Sequence, residues 1–257
     1  MPFALITGAS KGIGKCIAEI LAARGYDLLL VARSSELLEQ VSAEIHSSTK
    51  RNCHWFSLDL SGEQAAETVF DWCNKNKYTV SILVNNAGYG LSGKFEKYSL
   101  QEYTEMLHVN IFTLTKLTRL FLPGLLLQPE SYILNIGSTA SYQAVPLLSA
   151  YAASKAYVLS FSRGLYQELK QTTVSVTCIS PGPTDTNFVN RANIGKKGQK
   201  AAERFNMTPQ TVAKIAVESL FRRRPEVITG GMNKLSAFFA WLLPKTIVER
   251  VAQKLYD

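Results

Sequence analysis

Six short apolar runs alternate with longer stretches of helical periodicity, and that alternation leaves this 257-residue chain few folds to choose from. The runs are Phe3–Thr7 (FALIT), Asp27–Ala32 (DLLLVA), 81–84 (SILV), 132–136 (YILNI), 174–179 (VSVTCI) and 226–229 (EVIT). Their apolarity is continuous and does not alternate residue by residue. This predicts strands buried on both faces, as in a parallel sheet covered by helices. Helical patterns span 13–24, 35–47, 63–75, 100–122, 150–170 and 209–223. The βαβα order predicts an α/β fold, a doubly wound parallel sheet flanked by helices. No repeat or low-complexity linker divides the chain, so one domain over 1–257 is expected. The polar, basic stretch 187–208 is the best candidate for a mobile excursion over a binding site.

The first run passes into Gly8-Ala9-Ser10-Lys11-Gly12-Ile13-Gly14, and a helical pattern follows at once. Glycines at such a turn let the backbone approach a pyrophosphate, and the helix N-terminus supplies free N–H groups and a positive dipole end. The spacing is Gly-x3-Gly-x-Gly. Its place after the first strand of an alternating chain makes the fold Rossmann-like and the ligand a dinucleotide. The second run ends in Ala32-Arg33-Ser34-Ser35, with no carboxylate for a ribose 2′-hydroxyl. A guanidinium can instead pair bidentately with a 2′-phosphate, and Lys11 adds a second cation on that side. The expected cofactor is therefore NADP(H).

Composition narrows the function by exclusion. Hydrophobic residues are 46% and charged residues 19%, enough apolar surface to build a core. No apolar run approaches the ~20 residues of a membrane-spanning helix. The N-terminus lacks the basic region of a signal peptide. Cys16, Cys53, Cys73 and Cys178 show no metal-ligand spacing, so they read as small apolar residues of a cytoplasmic protein with no metal site. The net charge of +8 lies wholly in residues 191–257, which hold 13 basic and 5 acidic side chains; residues 1–190 hold 15 of each. With no recognition motif beside it, that surplus does not argue for nucleic acid. It points to the substrate or to a surface.

Further along, Tyr151 and Lys155 stand four apart in a strongly helical segment and should share one face. A phenol ordinarily ionises near pH 10, and a nearby ammonium favours its charged form. Tyr151 can then protonate a carbonyl oxygen as hydride arrives, or take the proton in reverse. Ser138, past the end of the run 132–136, falls where ligands bind in open α/β sheets and can hold the substrate oxygen.

With residues 7–14 (TGASKGIG), Asp59-Leu60, 85–88 (NNAG), Asn110, Ser138, Tyr151-x3-Lys155 and Pro181-Gly182 in order over residues 3–186, the sequence resembles the short-chain dehydrogenase/reductase family. The resemblance implies a catalytic set of Asn110, Ser138, Tyr151 and Lys155. In that set Asn110 anchors a proton-relay water, and Lys155 also hydrogen-bonds the nicotinamide ribose. It implies cofactor contacts from Gly8, Ser10, Lys11, Gly12, Ile13, Gly14, Arg33 and Ser34, with Asp59 and Leu60 near the adenine. Asn86, Ala87 and Gly88 would follow along the adenosine ribose. Pro181, Gly182, Pro183 and Thr184 look like the nicotinamide-side turn, where Thr184 and Thr186 could donate to the carboxamide and pyrophosphate. Dimers or tetramers are common in the family.

The tail is a separate pattern. Residues 235–243 carry no charge, Pro244 should break the helix, and Ile247, Val248, Val251, Ala252 and Leu255 form one stripe of a second, amphipathic helix. Three readings stand open. The tail roofs an apolar substrate pocket or packs on a subunit partner; it lies in a membrane interface with its cations toward anionic lipid; or it is core. The expected function is hydride transfer between NADP(H) and a lipophilic small-molecule carbonyl or secondary alcohol. The alternative is a catalytically idle NADP-binding regulator of the same fold, which would have no need of a general acid.

Overall fold

The structure of the protein, a computed structural model, describes residues 2–184 and 206–256. Seven strands form one parallel sheet: β1 (Phe3–Thr7), β2 (Asp27–Ala32), β3 (Cys53–Ser57), β4 (Val80–Asn85), β5 (Ser131–Ile136), β6 (Val174–Ser180) and β7 (Glu226–Ile228). Their order is β3-β2-β1-β4-β5-β6-β7, every pairing parallel. The chain runs outward from β1 to β3 and then returns to β4 beside β1. The order therefore reverses between β1 and β4, the place where such sheets open a crevice at their C-terminal ends.

Continuous apolarity has the predicted cause, because successive residues of each strand serve opposite layers. Ala4, Ile6, Leu28 and Leu30 pack with helices α1 (Gly12–Ala23), α2 (Ser35–Thr49) and α7 (Pro209–Phe221). Leu5, Leu29, Val31 and Leu83 pack with α3 (Ala65–Lys75), α5 (Leu114–Leu126) and α6 (Ser149–Leu169) on the other face. A buried polar chain pins the second layer to the sheet. Asn85 donates to Thr118 of α5 and to Asn135 of β5 (3.1 and 2.9 Å), and Asn135 donates to Ser162 of α6 (2.9 Å). Buried hydrogen bonds of this kind fix position more sharply than apolar packing alone, although Asn85 Oδ1 is left without a partner.

Two elements differ from the expectation. The strand β3 (CHWFS) was not among the six apolar runs. It is one of the two edge strands, with His54 and Trp55 exposed, and so has no need of two apolar faces. The stretch 100–122 is not one helix. After α4 (Leu100–Leu107) the chain makes a π turn over His108–Thr113 before α5 continues.

At the C-terminal end, α8 (Gly231–Leu242) and α9 (Lys245–Tyr256) meet at the Leu243-Pro244 break. The expected stripe of α9 is divided. Val248 and Ala252 are buried, whereas Ile247 and Val251 are exposed. No helix among the described residues is long and apolar enough to cross a membrane. Cys16, Cys73 and Cys178 are buried free thiols and Cys53 is half-buried; burial pushes Cys53 and Cys178 up to about 11 and Cys73 up to about 12.

Candidate active site

A cavity of about 700 Å³ runs along the C-terminal ends of the strands, from the turn after β2 to the helices that follow β7. Its floor is the turn between β1 and α1. Gly8 has φ +66°, and a side chain there would meet the Ala87 backbone; a Cβ on Gly14 would run into the Asn86 amide and the Gly8 carbonyl. Asn86 occupies that close approach productively. Its Nδ2 donates to the carbonyls of Thr7 and Gly8 (2.9 and 3.1 Å), and Thr7 Oγ1 accepts from the backbone N–H of Asn86 and Ala87. Gly14, and Gly12 with it, thus shape the turn without lining the cavity, while Gly8, Ser10, Lys11 and Ile13 line it. The N-terminus of α1 has no capping side chain and no acidic residue in its first turn, so its N–H groups remain available to an anion.

Arg33 lies at one end of the cavity, 3.6 Å from Asp59. Both side chains are more than half exposed (56% and 53%), so this pair is weak and readily exchanged for a better partner. Burial pushes the Asp59 carboxyl up, but the N–H and hydroxyl of Ser61 and the Arg33 guanidinium outweigh it and hold the group below its ordinary range. Ser34 lines the same end and also caps α2, accepting from Leu37 N at 3.5 Å. Leu60, Asn86, Ala87 and Gly88 continue the wall toward the middle. The uncapped helix start, the glycine turn and an unsaturated guanidinium together fit a dinucleotide with a phosphate at its far end.

Lys155 organises the other half. Its Nζ donates to the Ile136 carbonyl at 2.8 Å, tying α6 to the end of β5, and Ser141 Oγ returns a bond to the Lys155 carbonyl at 2.8 Å. Beyond Ile136 the chain turns at Gly137 into Ser138, whose hydroxyl accepts from Ala140 N (3.1 Å) and faces the cavity. Tyr151 lies one turn before Lys155, buried along its ring, with the ammonium 5.9 Å from the ring centroid. Ser138, Tyr151 and Lys155 therefore converge on one stretch of cavity wall. Pro181, Gly182, Pro183 and Thr184 continue the lining after β6, next to this stretch, where the Pro181 carbonyl accepts from Thr139 N at 2.8 Å. Thr186, with Lys196, Lys197, Lys200 and most of the expected loop 187–208, lies outside the described residues.

Asn110 does not line the cavity. It sits in the π turn, 1% exposed, and its amide is spent on protein. Nδ2 donates to the Tyr89 carbonyl (2.9 Å) and to Ser154 Oγ (3.0 Å), and Oδ1 accepts from Tyr89 N (3.1 Å). Ser154 in turn donates to the Tyr151 carbonyl (2.7 Å). Asn110 thus fastens the helix that carries Tyr151 to the loop after β4.

Burial pushes the Lys155 ammonium down from its ordinary 10.5 to about 8. The unfolded lysine keeps the higher value, so at neutral pH the folded state bears the full desolvation cost, on the order of 3 kcal/mol. That cost falls away as pH rises from about 8 to 10.5. Lys155→Met should therefore be more stable relative to wild type at pH 7 than at pH 10.5. Urea unfolding of both proteins across that range measures the gap, and a gap that is flat with pH contradicts the assignment.

Sequence reasoning missed Tyr89, Glu105, Tyr142, Gln143, Val145, Leu148, Met232 and Asn233 of the wall beyond Tyr151; Ser236, Ala237, Ala240 and Ala252, which complete it, belong to the tail for which a roof was one of the open readings. Tyr142 is held from behind, donating to Glu226 of β7, which also pairs with Arg163 of α6; burial first and Glu226 second push its phenol well above the usual range. The inner faces of α8 and α9 form the roof through small residues. This favours the first reading of the tail. Among the described residues, Glu105 is the one charged side chain on this part of the wall.

Residues 2–197 match the short chain dehydrogenase family. A very-long-chain 3-oxoacyl-CoA reductase of Anas platyrhynchos is 37% identical over 187 residues, covering 70% of this chain and 58% of its own length. The chain thus spans a little under three fifths of that relative. Among solved structures, a 7beta-hydroxysteroid dehydrogenase superposes with a TM-score of 0.87 at 26% identity, covering 98% of this chain and 96% of the other. A short-chain dehydrogenase from Sphingobium yanoikuyae in complex with NADPH superposes with a TM-score of 0.83 at 29% identity, with 94% of each chain covered.

Proposed function

The chain belongs to the short-chain dehydrogenase family, and on that premise we propose that it is an NADP(H)-dependent oxidoreductase interconverting a lipophilic ketone and its secondary alcohol. One observation carries the reading: Ser138, Tyr151 and Lys155 converge on a cavity whose other end holds Arg33. The cofactor, when bound, supplies or accepts the hydride. Arg33 and Lys11 hold its 2′-phosphate, the N-terminus of α1 its pyrophosphate, and Lys155 its ribose near the reacting end. Relatives support the nicotinamide cofactor, one of them as an NADPH complex.

In reduction, Ser138 donates a hydrogen bond to the substrate oxygen and Tyr151 transfers its phenolic proton there as negative charge builds. The Lys155 ammonium, cationic at neutral pH and fixed by the Ile136 carbonyl, favours the phenolate left behind. Asn110 acts through Ser154 and the Tyr151 carbonyl as a positioning residue. Oxidation runs these transfers in reverse. The assembly is proposed to be a homodimer or homotetramer.

The lipophilic substrate class is supported by the wall beyond Tyr151. Val145, Leu148, Ala237, Ala240 and Ala252 outweigh its polar groups there, and a largely apolar wall selects by surface area removed from water. The similar 3-oxoacyl-CoA reductase and hydroxysteroid dehydrogenase are named for substrates of that kind. NADPH oxidation against ketones graded by chain length and ring number tests it. Turnover should rise with apolar area. A preference for small polar ketones would overturn the substrate class.

A further inference from the structure

The two C-terminal helices show two apolar sides. Their inner faces bury Ala237, Ala240, Val248 and Ala252. Their outer faces expose Phe238 (52%), Trp241 (73%), Leu242 (56%), Ile247 (48%) and Val251 (56%). Phe238 packs its ring against Trp241, with centroids 6.1 Å apart, so the aromatic pair forms a ready cluster at the surface. Scattered exposed apolar side chains need no explanation, but this many on two consecutive helices do.

The charges of the same helices choose the occupant. Lys234, Lys245, Arg250 and Lys254 are exposed, against one half-buried carboxylate, Glu249, and this segment lies in the quarter of the chain that carries the whole +8 surplus. A two-fold contact with a second copy would bring these cations against their own equivalents. An apolar face bearing Trp and Phe and flanked by Lys and Arg instead suits the boundary between acyl chains and anionic headgroups. We propose that the outer face of α8 and α9 docks the protein peripherally on anionic lipid membranes.

The inner faces of the same helices line the cavity, so a ketone dissolved in the bilayer would meet its site directly beneath the docked surface. That consequence rests on the reductase reading, whereas the docking does not. The two can therefore fail separately.

The test is co-sedimentation of the full-length protein with phosphatidylcholine vesicles, with and without phosphatidylglycerol. Wild type should bind the mixed vesicles, bind phosphatidylcholine alone much less, and release as salt is raised. Phe238→Ser/Trp241→Ser should weaken binding by about tenfold or more, and Lys234→Glu/Lys254→Glu should weaken it at low salt. Neither pair lines the cavity, so turnover of a water-soluble ketone without vesicles should stay at the wild-type rate and report folding. Three results would each overturn the proposal: no vesicle binding by wild type; equal binding by wild type and the aromatic variant; or a smaller particle for that variant in sedimentation velocity, which would assign the face to a second copy.

Discussion

Tyr151→Phe should bind NADPH as wild type does and lose turnover by about 10²- to 10⁴-fold, the range a positioned general acid supplies. The substitution removes one oxygen from a ring that is 8% exposed on a helix fixed at several other points, so the fold should be unaffected. Lys155 keeps its bond to Ile136, and the phosphate-binding turn is on other elements. The loss should fall on kcat and kcat/KM together, because the proton moves only in the transition state. Cofactor fluorescence titration and steady-state kinetics on the same preparation separate the two effects. Wild-type turnover by the variant would remove Tyr151 from the mechanism. If no ketone is turned over by wild type while NADPH still binds, the idle regulatory reading gains instead.

Arg33→Asp should weaken NADPH by about a hundredfold or more while NADH binding holds or improves. A guanidinium on a phosphate gives charge-assisted bonds worth about 1.5–3 kcal/mol each. The substitution removes these bonds and sets a carboxylate against the phosphate. Toward NADH the same carboxylate can accept from the ribose 2′-hydroxyl. The loss to the fold should be slight, since the native partner is the exposed Asp59 at 3.6 Å. The ratio of the two dissociation constants is the measurement. An unchanged ratio would mean that Arg33 does not read the 2′ position.

Sequence and structure agree where one residue type has one physical reason. Leu28–Ala32 is apolar throughout because both faces of the strand are covered, and its bounds follow. Tyr151 and Lys155 share a helical face because four residues make about one turn. Legibility fails where the reason lies elsewhere in the chain. β3 is half exposed and carries no periodic signal of its own. The family resemblance marks Asn110 and gives it a relay water, but only Tyr89 and Ser154, far away in sequence, show that its side chain fastens the helix of Tyr151. The roof was least legible, because a small alanine that lines a cavity looks in sequence like any helix alanine. The two-sided character of α8 and α9 emerges only once the fold has buried Ala237, Ala240, Val248 and Ala252 on one side.

The π turn at His108–Thr113 has a consequence for how this gene can vary. A π turn holds one residue more than an α-helix would place over the same rise. Removing a single codon there would let a straight helix run through with both flanks kept in register, but it would close the wide turn that presents Asn110 to Tyr89 and Ser154. Substitutions in this stretch away from Asn110 leave the wide turn in place, whereas a change in its length removes it, so the residue count of this helix is itself a constraint on how Asn110 is held.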